Sequence, residues 1–386
     1  MFGLRSEIEG IYDTRIRPRI KTNAVVSGAL VMTLAQLGSL NALEETAGYN
    51  ASWHRWIGEA LPSADTMGNV SARIEHDGIR GLIKHVYARL KRNKALKPFS
   101  SGMFVLVIDG HESSASYVRY CESCLTRTIH TQTANMTQYY HRHVMAQLVC
   151  GNFYLPLDME PQRPGEDEVT AAIRLLKRVL TNYPRAFSLI LADGLYLKAN
   201  FFKIALKRGK DVIAVLKDER RDLLKDAQGL FAQEHPAVYQ DGKVTRKCWD
   251  IEHFTSWDTL EREIRVVRSL ETTRSKNKES VSDWMWAGTI PKEALPTKEF
   301  VEIAHARWKI ENEGFNELVN YWHADHVYRH DPVAIETFWL LTMLSYILFH
   351  AFINLNLKPA LRGKYTKAHW ARVICADLYL EINLPP

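Results

Sequence analysis

Two acidic residues stand in the same local setting. The run Phe104-Val105-Leu106-Val107-Ile108-Asp109-Gly110 is apolar until it stops at a carboxylate, and Phe187-Ser188-Leu189-Ile190-Leu191-Ala192-Asp193-Gly194 repeats the design. A continuous apolar run of this length reads as a strand buried on both faces. Each run therefore delivers an acid at its end, and two such ends can lie side by side in one sheet. The plain alternative for either is a turn acid bonded to nearby backbone. A third acid sits on a helical pattern. Positions three or four apart share a helix face, and here they read Ala304, Trp308, Glu311, Phe315, Leu318 and Trp322. A carboxylate buried on such a face needs a metal, a cation or a proton. A salt bridge to Arg307, one turn earlier, is the structural alternative.

Three converging carboxylates suit hard divalent cations. Mg²⁺ takes oxygen ligands and is held by one or two carboxylates plus substrate phosphates. Two such ions, about 3.5–4 Å apart, serve the attacking and leaving oxygens of a phosphodiester displacement. Other clusters have plainer readings. Cys121-x-x-Cys124 lacks a second pair at zinc-finger spacing. With His111, His130, His141 and His143 nearby, it is either a structural zinc site or a pair of buried thiols in a tight turn. Glu166, Asp167 and Glu168 read as ordinary helix-start acids. The sequence holds no phosphate-binding glycine loop, no serine nucleophile elbow and no His-Glu-x-x-His.

The elements that must position the three acids follow from pattern. Residues 1–98 look helical: a core helix over 25–43, a helix starting at Pro62-Ser63-Ala64-Asp65, and an amphipathic helix over 82–96. The last carries Lys84, Arg89, Lys91, Arg92 and Lys94 on one face; with Arg15, Arg17, Arg19 and Lys21 it makes this region the candidate for contact with nucleic-acid backbone. From residue 99 the texture becomes mixed. Strands are expected around Asp109, over 116–120, over 139–149, around Asp193 and over 211–216, with helices through Ala172–Val179 and over 198–206. This predicts an α/β domain over 99–217, completed by 297–355. Residues 218–296 interrupt it with a helical piece (218–231) and three strands (247–254, 264–270, 284–290) joined by polar turns such as 274–278, a β-rich insertion. A helix then starts at Pro296-Thr297 and its pattern continues unbroken to Trp322, and 356–386 form a C-terminal segment.

Composition bounds the function classes. The 386 residues are 46% hydrophobic and 24% charged, ordinary for a globular chain, and the net charge of +6 is compatible with a polyanionic partner. Five scattered cysteines argue against a disulfide framework and for a reducing compartment, the cytoplasm. The apolar stretch 337–357 is broken by Thr342, Ser345, His350 and Asn354, which favours a buried helix over a membrane span.

Three motifs in order carry a family resemblance: Val107-Ile108-Asp109-Gly110, Leu191-Ala192-Asp193-Gly194-Leu195-Tyr196 and Arg307-Trp308-Lys309-Ile310-Glu311-Asn312. With Cys121-Glu122-Ser123-Cys124-Leu125 and Tyr139-Tyr140-His141-Arg142, they make the chain similar to the DDE transposases of bacterial insertion sequences, on the branch with a β-rich insertion before the final catalytic helix. The resemblance implies an RNase H-like catalytic domain with a mixed sheet. It also implies that Asp109, Asp193 and Glu311 hold two Mg²⁺ (or Mn²⁺) ions for strand cleavage and strand transfer at transposon ends. The implied partners are DNA, both terminal inverted repeats and target, and a second copy of the chain in a homodimer on that DNA. The implied location is the nucleoid in a bacterial cytoplasm. Relatives often carry a Tyr three residues before the Arg and a Lys seven after the Glu; here these are Ala304 and Leu318, so only Arg307 and Glu311 carry over. Arg307 is expected to contact phosphate, with Lys309, His323 or His326 as substitutes for the lost contacts. Some relatives stabilise a flipped base with a Trp on the strand before this helix. Trp284 or Trp286 lies in that region, with core packing as the competing reading. An RNase H-like nuclease that does not join ends, or an inactive DNA-binding remnant, are the alternative functions.

Overall fold

A computed structural model of the chain describes residues 2–48, 57, 60–132, 134–217, 222–275 and 278–379. The N-terminal region is helical: α1 (Leu4–Ile8), α2 (Thr22–Leu34), α3 (Leu40–Gly48), α4 (Ala64–Ser71) and α5 (His76–Arg92). The single helix expected over 25–43 is two, because the chain turns at Gln36 and Gly38, both at positive φ. Ser63 caps α4 through the Thr66 N–H, as its sequence position suggests.

The strands β1 (Val105–Ser116), β2 (Leu125–His130), β3 (Asn135–Val149) and β4 (Tyr154–Pro161) follow, then helix α6 (Glu168–Asn182). Next come β5 (Leu189–Ala192), α7 (Ala199–Leu206) and β6 (Asp211–Val215). Three details differ from expectation: residues 117–120 are irregular rather than a strand, and neither β2 nor β4 was marked by the sequence pattern. β1 pairs in parallel with β5, and β5 with β6, while β3 lies antiparallel on the other side of β1. The first half of β3 pairs outward with β2 and its second half with β4. The order β4-β3-β1-β5-β6, with β3 alone reversed, is that of an RNase H-like sheet. Val105–Ile108 are fully buried because helices cover both faces of this central strand.

After α8 (Asp222–Phe231) the chain forms four antiparallel strands, β7 (Ala237–Asp241), β8 (Val244–Phe254), β9 (Ile264–Ser275) and β10 (Lys278–Gly288). The sequence pattern marked three of them; β7, largely exposed, carries no apolar alternation. They do not form a sheet of their own. Trp286, Ala287 and Gly288 of β10 pair with Val215, Ala214 and Ile213 of β6, extending one sheet to ten strands. Residues 276–277 of the expected turn and 218–221 of the expected helix lie outside the described residues.

The last part is helical: α9 (Thr297–His305), a π-helical turn (Ile310–Phe315), α10 (Asn316–Trp322) and α11 (Pro332–Ala351). Short helices α12 (Pro359–Arg362) and α13 (Lys367–Tyr379) follow. α11 packs against α2, α5 and β4. Three polar residues along it make contacts between helices. Ser345 Oγ lies 2.5 Å from Thr33 Oγ1 of α2, Thr337 donates to the Ser71 carbonyl, and His350 pairs with Glu317 at 3.2 Å. Pro332–Asn356 is the one described stretch long and apolar enough to span a membrane, and most of it is buried in the protein. An ion network locks α5, α6 and α11 to β4. Arg80 and Arg178 both bond Asp158 (2.9 and 2.6 Å), and Arg80 also pairs with Glu336. Burial alone would raise the Glu336 carboxyl, but His76 and Arg80 hold it down to about 2.

Candidate active site

The register of β1 and β5 brings the first two acids together. Ile108 pairs with Ala192 at the last rung of the parallel ladder, so Asp109 and Asp193 are the next residues on adjacent strands. Neighbouring strands run about 4.8 Å apart, so the two carboxylates leave the sheet side by side. Asp109 is nearly buried, and burial together with Glu311 and Asp193 pushes its carboxyl up to about 7, against the lowering pull of Arg307 and the Gly110 N–H. One oxygen of Asp193, Oδ1, is buried without a hydrogen-bond partner. A buried acceptor left open at such a place needs a partner the chain does not supply.

Glu311 reaches the same place by a different route from the one its spacing suggested. The helix does not run unbroken from Pro296 to Trp322. It tightens after His305 and re-forms as the π-helical turn before α10. The extra residue in that turn rotates the face, so Glu311 is not centred on the buried stripe: its side chain is 51% exposed, and Trp308 is 42% exposed. Ala304, Phe315, Leu318 and Trp322 remain buried. π-turns of this kind occur frequently at functional sites. The freed Glu313 carbonyl accepts from Tyr346 Oη at 2.7 Å. Gly314 allows the close approach to β3, since a Cβ there would lie 2.3 Å from Gln147 Oε1.

Arg307 ties the constellation. Its Nη1 is 2.8 Å from Asp109 Oδ2 and 2.9 Å from Glu311 Oε1, so one buried guanidinium nitrogen bridges two of the three acids. The insertion fixes the approach of this segment. Arg265, buried, pairs with Asp250 at 2.7 Å and donates to the Leu295 carbonyl, while Thr297 Oγ1 donates to Asp250. His305 meets Glu271 of β9 at 2.7 Å. On the other side, His111 stacks on Phe315 and pairs with Asp325 at 3.1 Å, holding the turn after α10 to β1.

A fourth carboxylate was missed. Asp167 caps α6 and Glu166 pairs with Arg174, as helix-start acids do. Glu168 instead lies over Gly110, where a Cβ would come within 2.4 Å of its carboxyl carbon. It accepts from Tyr196 Oη at 2.5 Å and pairs with Arg142 at 3.4 Å. Burial and the charges of Glu168, Asp109 and Asp193 hold the Tyr196 phenol well above its ordinary value, so it stays a donor. Only the Tyr three residues after Asp193 hinted at this cluster, since the partners are distant in sequence.

The remaining predicted contacts fall elsewhere. Trp286 is 3% exposed, stacked on Trp284 and edge-on to His305, so it is a core residue rather than a ring available to a base. The exposed member of this aromatic group is Trp308, edge-on to Trp284 at 5.0 Å. Lys309 is set over the rings of Phe99 and Tyr154. Arg89, Lys91 and Arg92 sit at the C-terminal end of α5, where Lys91 bonds the Arg185 carbonyl ahead of β5. That is the opposite end of the strands from Asp193, so the structure does not group these bases with the acids.

The arrangement matches a known family. The profile described as "Transposase DDE domain" matches residues 105–348, more than half of the chain and all three acids. No curated protein sequence matches. Among solved structures, a cryo-EM structure of a piggyBac transposase synaptic complex with hairpin DNA aligns with a TM-score of 0.46 at 11% identity, covering 99% of this chain and 79% of that chain.

Proposed function

The chain belongs to the transposase DDE domain family, and from that premise we propose that Asp109, Asp193 and Glu311 form the carboxylate set for cleavage and strand transfer of DNA at the ends of a mobile element. The observation that supports this reading is the placement of the acids: Asp109, inside β1 where its pairing with β5 stops, neighbours Asp193 just past β5, and Arg307 joins Asp109 to Glu311. DNA transposases of this family work with divalent metal ions. The residues here fit such an ion, since Asp193 keeps a buried oxygen without a partner and every side-chain donor in the set is a hard oxygen. Asp109 and Asp193 would hold it, with Glu311 completing a two-ion site. Two bound Mg²⁺ ions supply Lewis-acid stabilisation to the attacking and leaving oxygens.

The chain's own groups do the rest. Arg307 neutralises the acids and is placed to meet a phosphate brought to them, its planar fork suiting that anion. Tyr196 and Arg142 fix Glu168 over Gly110 of β1. Trp308, exposed beside Glu311, offers a ring for an unstacked base. Terminal repeats and target DNA are the proposed substrates, handled by a homodimer. The test is an assay with a DNA end of the parent element and Mg²⁺. Asp109→Asn, Asp193→Asn and Glu311→Gln should each abolish nicking while DNA binding persists. Nicking without joining by the wild type would support a nuclease instead, and normal nicking by any one variant would remove that residue from the set.

A further inference from the structure

We propose that Cys121, Cys124 and His141 form a structural zinc site. The two Sγ atoms lie 3.7 Å apart, and each is 3.4 Å from His141 Nε2. A tetrahedral zinc with its usual bonds, about 2.3 Å to sulfur and about 2.05 Å to nitrogen, requires ligand edges of about 3.8 Å (S to S) and about 3.6 Å (S to N). The observed triangle matches both edges to within about 0.2 Å. Among the described residues this is the one group of three or more His, Cys, Asp and Glu whose ligand atoms converge so closely.

The local backbone is built for it. Cys124 N–H donates to the Cys121 carbonyl at 3.2 Å, closing a turn, and Cys121 N–H donates to Cys124 Sγ at 3.2 Å. His141 is fixed by the sheet, opposite Ser113 in the β1–β3 ladder. The fourth position of the tetrahedron is left to solvent. Soft thiolates with imidazoles select zinc over the hard cations of the catalytic acids.

The site has a mechanical purpose. Residues 117–124 carry no regular structure and expose Tyr117, Val118 and Tyr120, so little apolar burial holds this connection in place. A metal held by Cys121, Cys124 and His141 would clip this connection to β3. Binding forms two Zn–S bonds and one Zn–N bond, and the two thiol protons leave to solvent. Two thiolates then balance the charge of one Zn²⁺, with the imidazole neutral.

The experiment is elemental analysis of the purified full-length protein after dialysis, with Co²⁺ exchange as a second readout. The expected result is one zinc per chain, thiolate-to-cobalt charge-transfer absorption after exchange, loss of zinc in Cys121→Ser and Cys124→Ser, and unchanged zinc in Cys150→Ser and Asp193→Asn. Wild-type protein without zinc overturns the assignment, whether its thiols are free or joined as a disulfide, as does zinc fully retained in both serine variants. If a serine variant fails to fold, the cobalt spectrum of the wild type decides: no thiolate band, no site. The Asp193→Asn result separates failure of this proposal from failure of the catalytic one.

Discussion

Arg307 places Nη1 2.8 Å from Asp109 Oδ2 while the same nitrogen reaches Glu311 at 2.9 Å, so the cation most deeply set in the site is shared by a strand-borne and a helix-borne acid. A single guanidinium in that position both neutralises the acids and orients them. Arg307→Ala leaves Asp109 buried without its cation, and breaking such a pair costs about 3–5 kcal/mol where it is fully buried. Part of this is relieved by protonation of Asp109, which is already poised to accept a proton. DNA cleavage should fall by about 10²-fold or more, the loss typical for removal of one preorganised donor. Arg307→Lys, which keeps the charge but not the fork, should recover only a fraction of it in the same nicking assay.

The raised carboxyl of Asp109 makes stability depend on pH in a stated direction. Its ordinary value is 3.8 and burial first of all pushes it up to about 7. Between these values the folded chain holds the proton that the unfolded chain has lost. Metal-free protein therefore loses stability from this group as pH rises through that window, and the loss levels off above it. Asp109→Asn removes the slope. Thermal melts in a chelator should show the difference in Tm, wild type minus variant, falling between pH 4 and 7. Added Mg²⁺ should stabilise the wild type more above pH 7 than below it, because the ion must displace the proton. A difference that stays flat with pH counts against the assigned environment of Asp109.

Gly314 sets how closely the π-helical turn approaches the sheet. A Cβ there would meet the fully buried Gln147 at 2.3 Å. Gly314→Ala should destabilise by about 1–3 kcal/mol, the usual range for overpacking, and should reduce cleavage by shifting Glu311. Chemical denaturation of Gly314→Ala, Gln147→Ala and the double variant provides the check. The double variant should recover most of the stability lost in the first, and a strictly additive result would place the strain elsewhere.

Two tryptophans close in space should respond in opposite ways. Trp286→Ala empties a core position and should cost about 3–5 kcal/mol. Trp308→Ala should leave the denaturation midpoint nearly unchanged and weaken cleavage of a DNA end, since stacking on one base contributes about 1–3 kcal/mol. A Trp308→Ala enzyme with unaltered cleavage would show that the ring does not meet DNA.

Much of the site's frame was legible because it rests on local pattern. An apolar run ending in Asp-Gly is a buried strand whatever surrounds it, and two of them gave Asp109 and Asp193 their places. Glu311 was legible as to residue but not as to setting, because a π-turn adds one residue to the helical period and leaves no mark in spacing. Trp286 on β10 took the core reading that competed for it, and Trp308 is the exposed ring. Glu168 was hidden because its partners, Tyr196, Arg142 and Gly110, come from three other segments. β4 went unread because its alternation is masked: nearly every residue is buried, and Asp158 and Glu160 are held inside by arginines from α5 and α6. The cysteine pair showed two ligands in sequence, and only the fold brought His141 to them.

Asp109, Asp193 and Glu311 are proposed to share divalent metal ions, and anomalous scattering from crystals of the full-length protein grown with Mn²⁺ tests this most directly. Manganese peaks are expected within coordination distance of the Asp109 and Asp193 carboxylates, with a second peak reaching Glu311, and loss of the first peak in Asp193→Asn. Manganese absent from these carboxylates under conditions in which the same protein nicks a transposon end would contradict it.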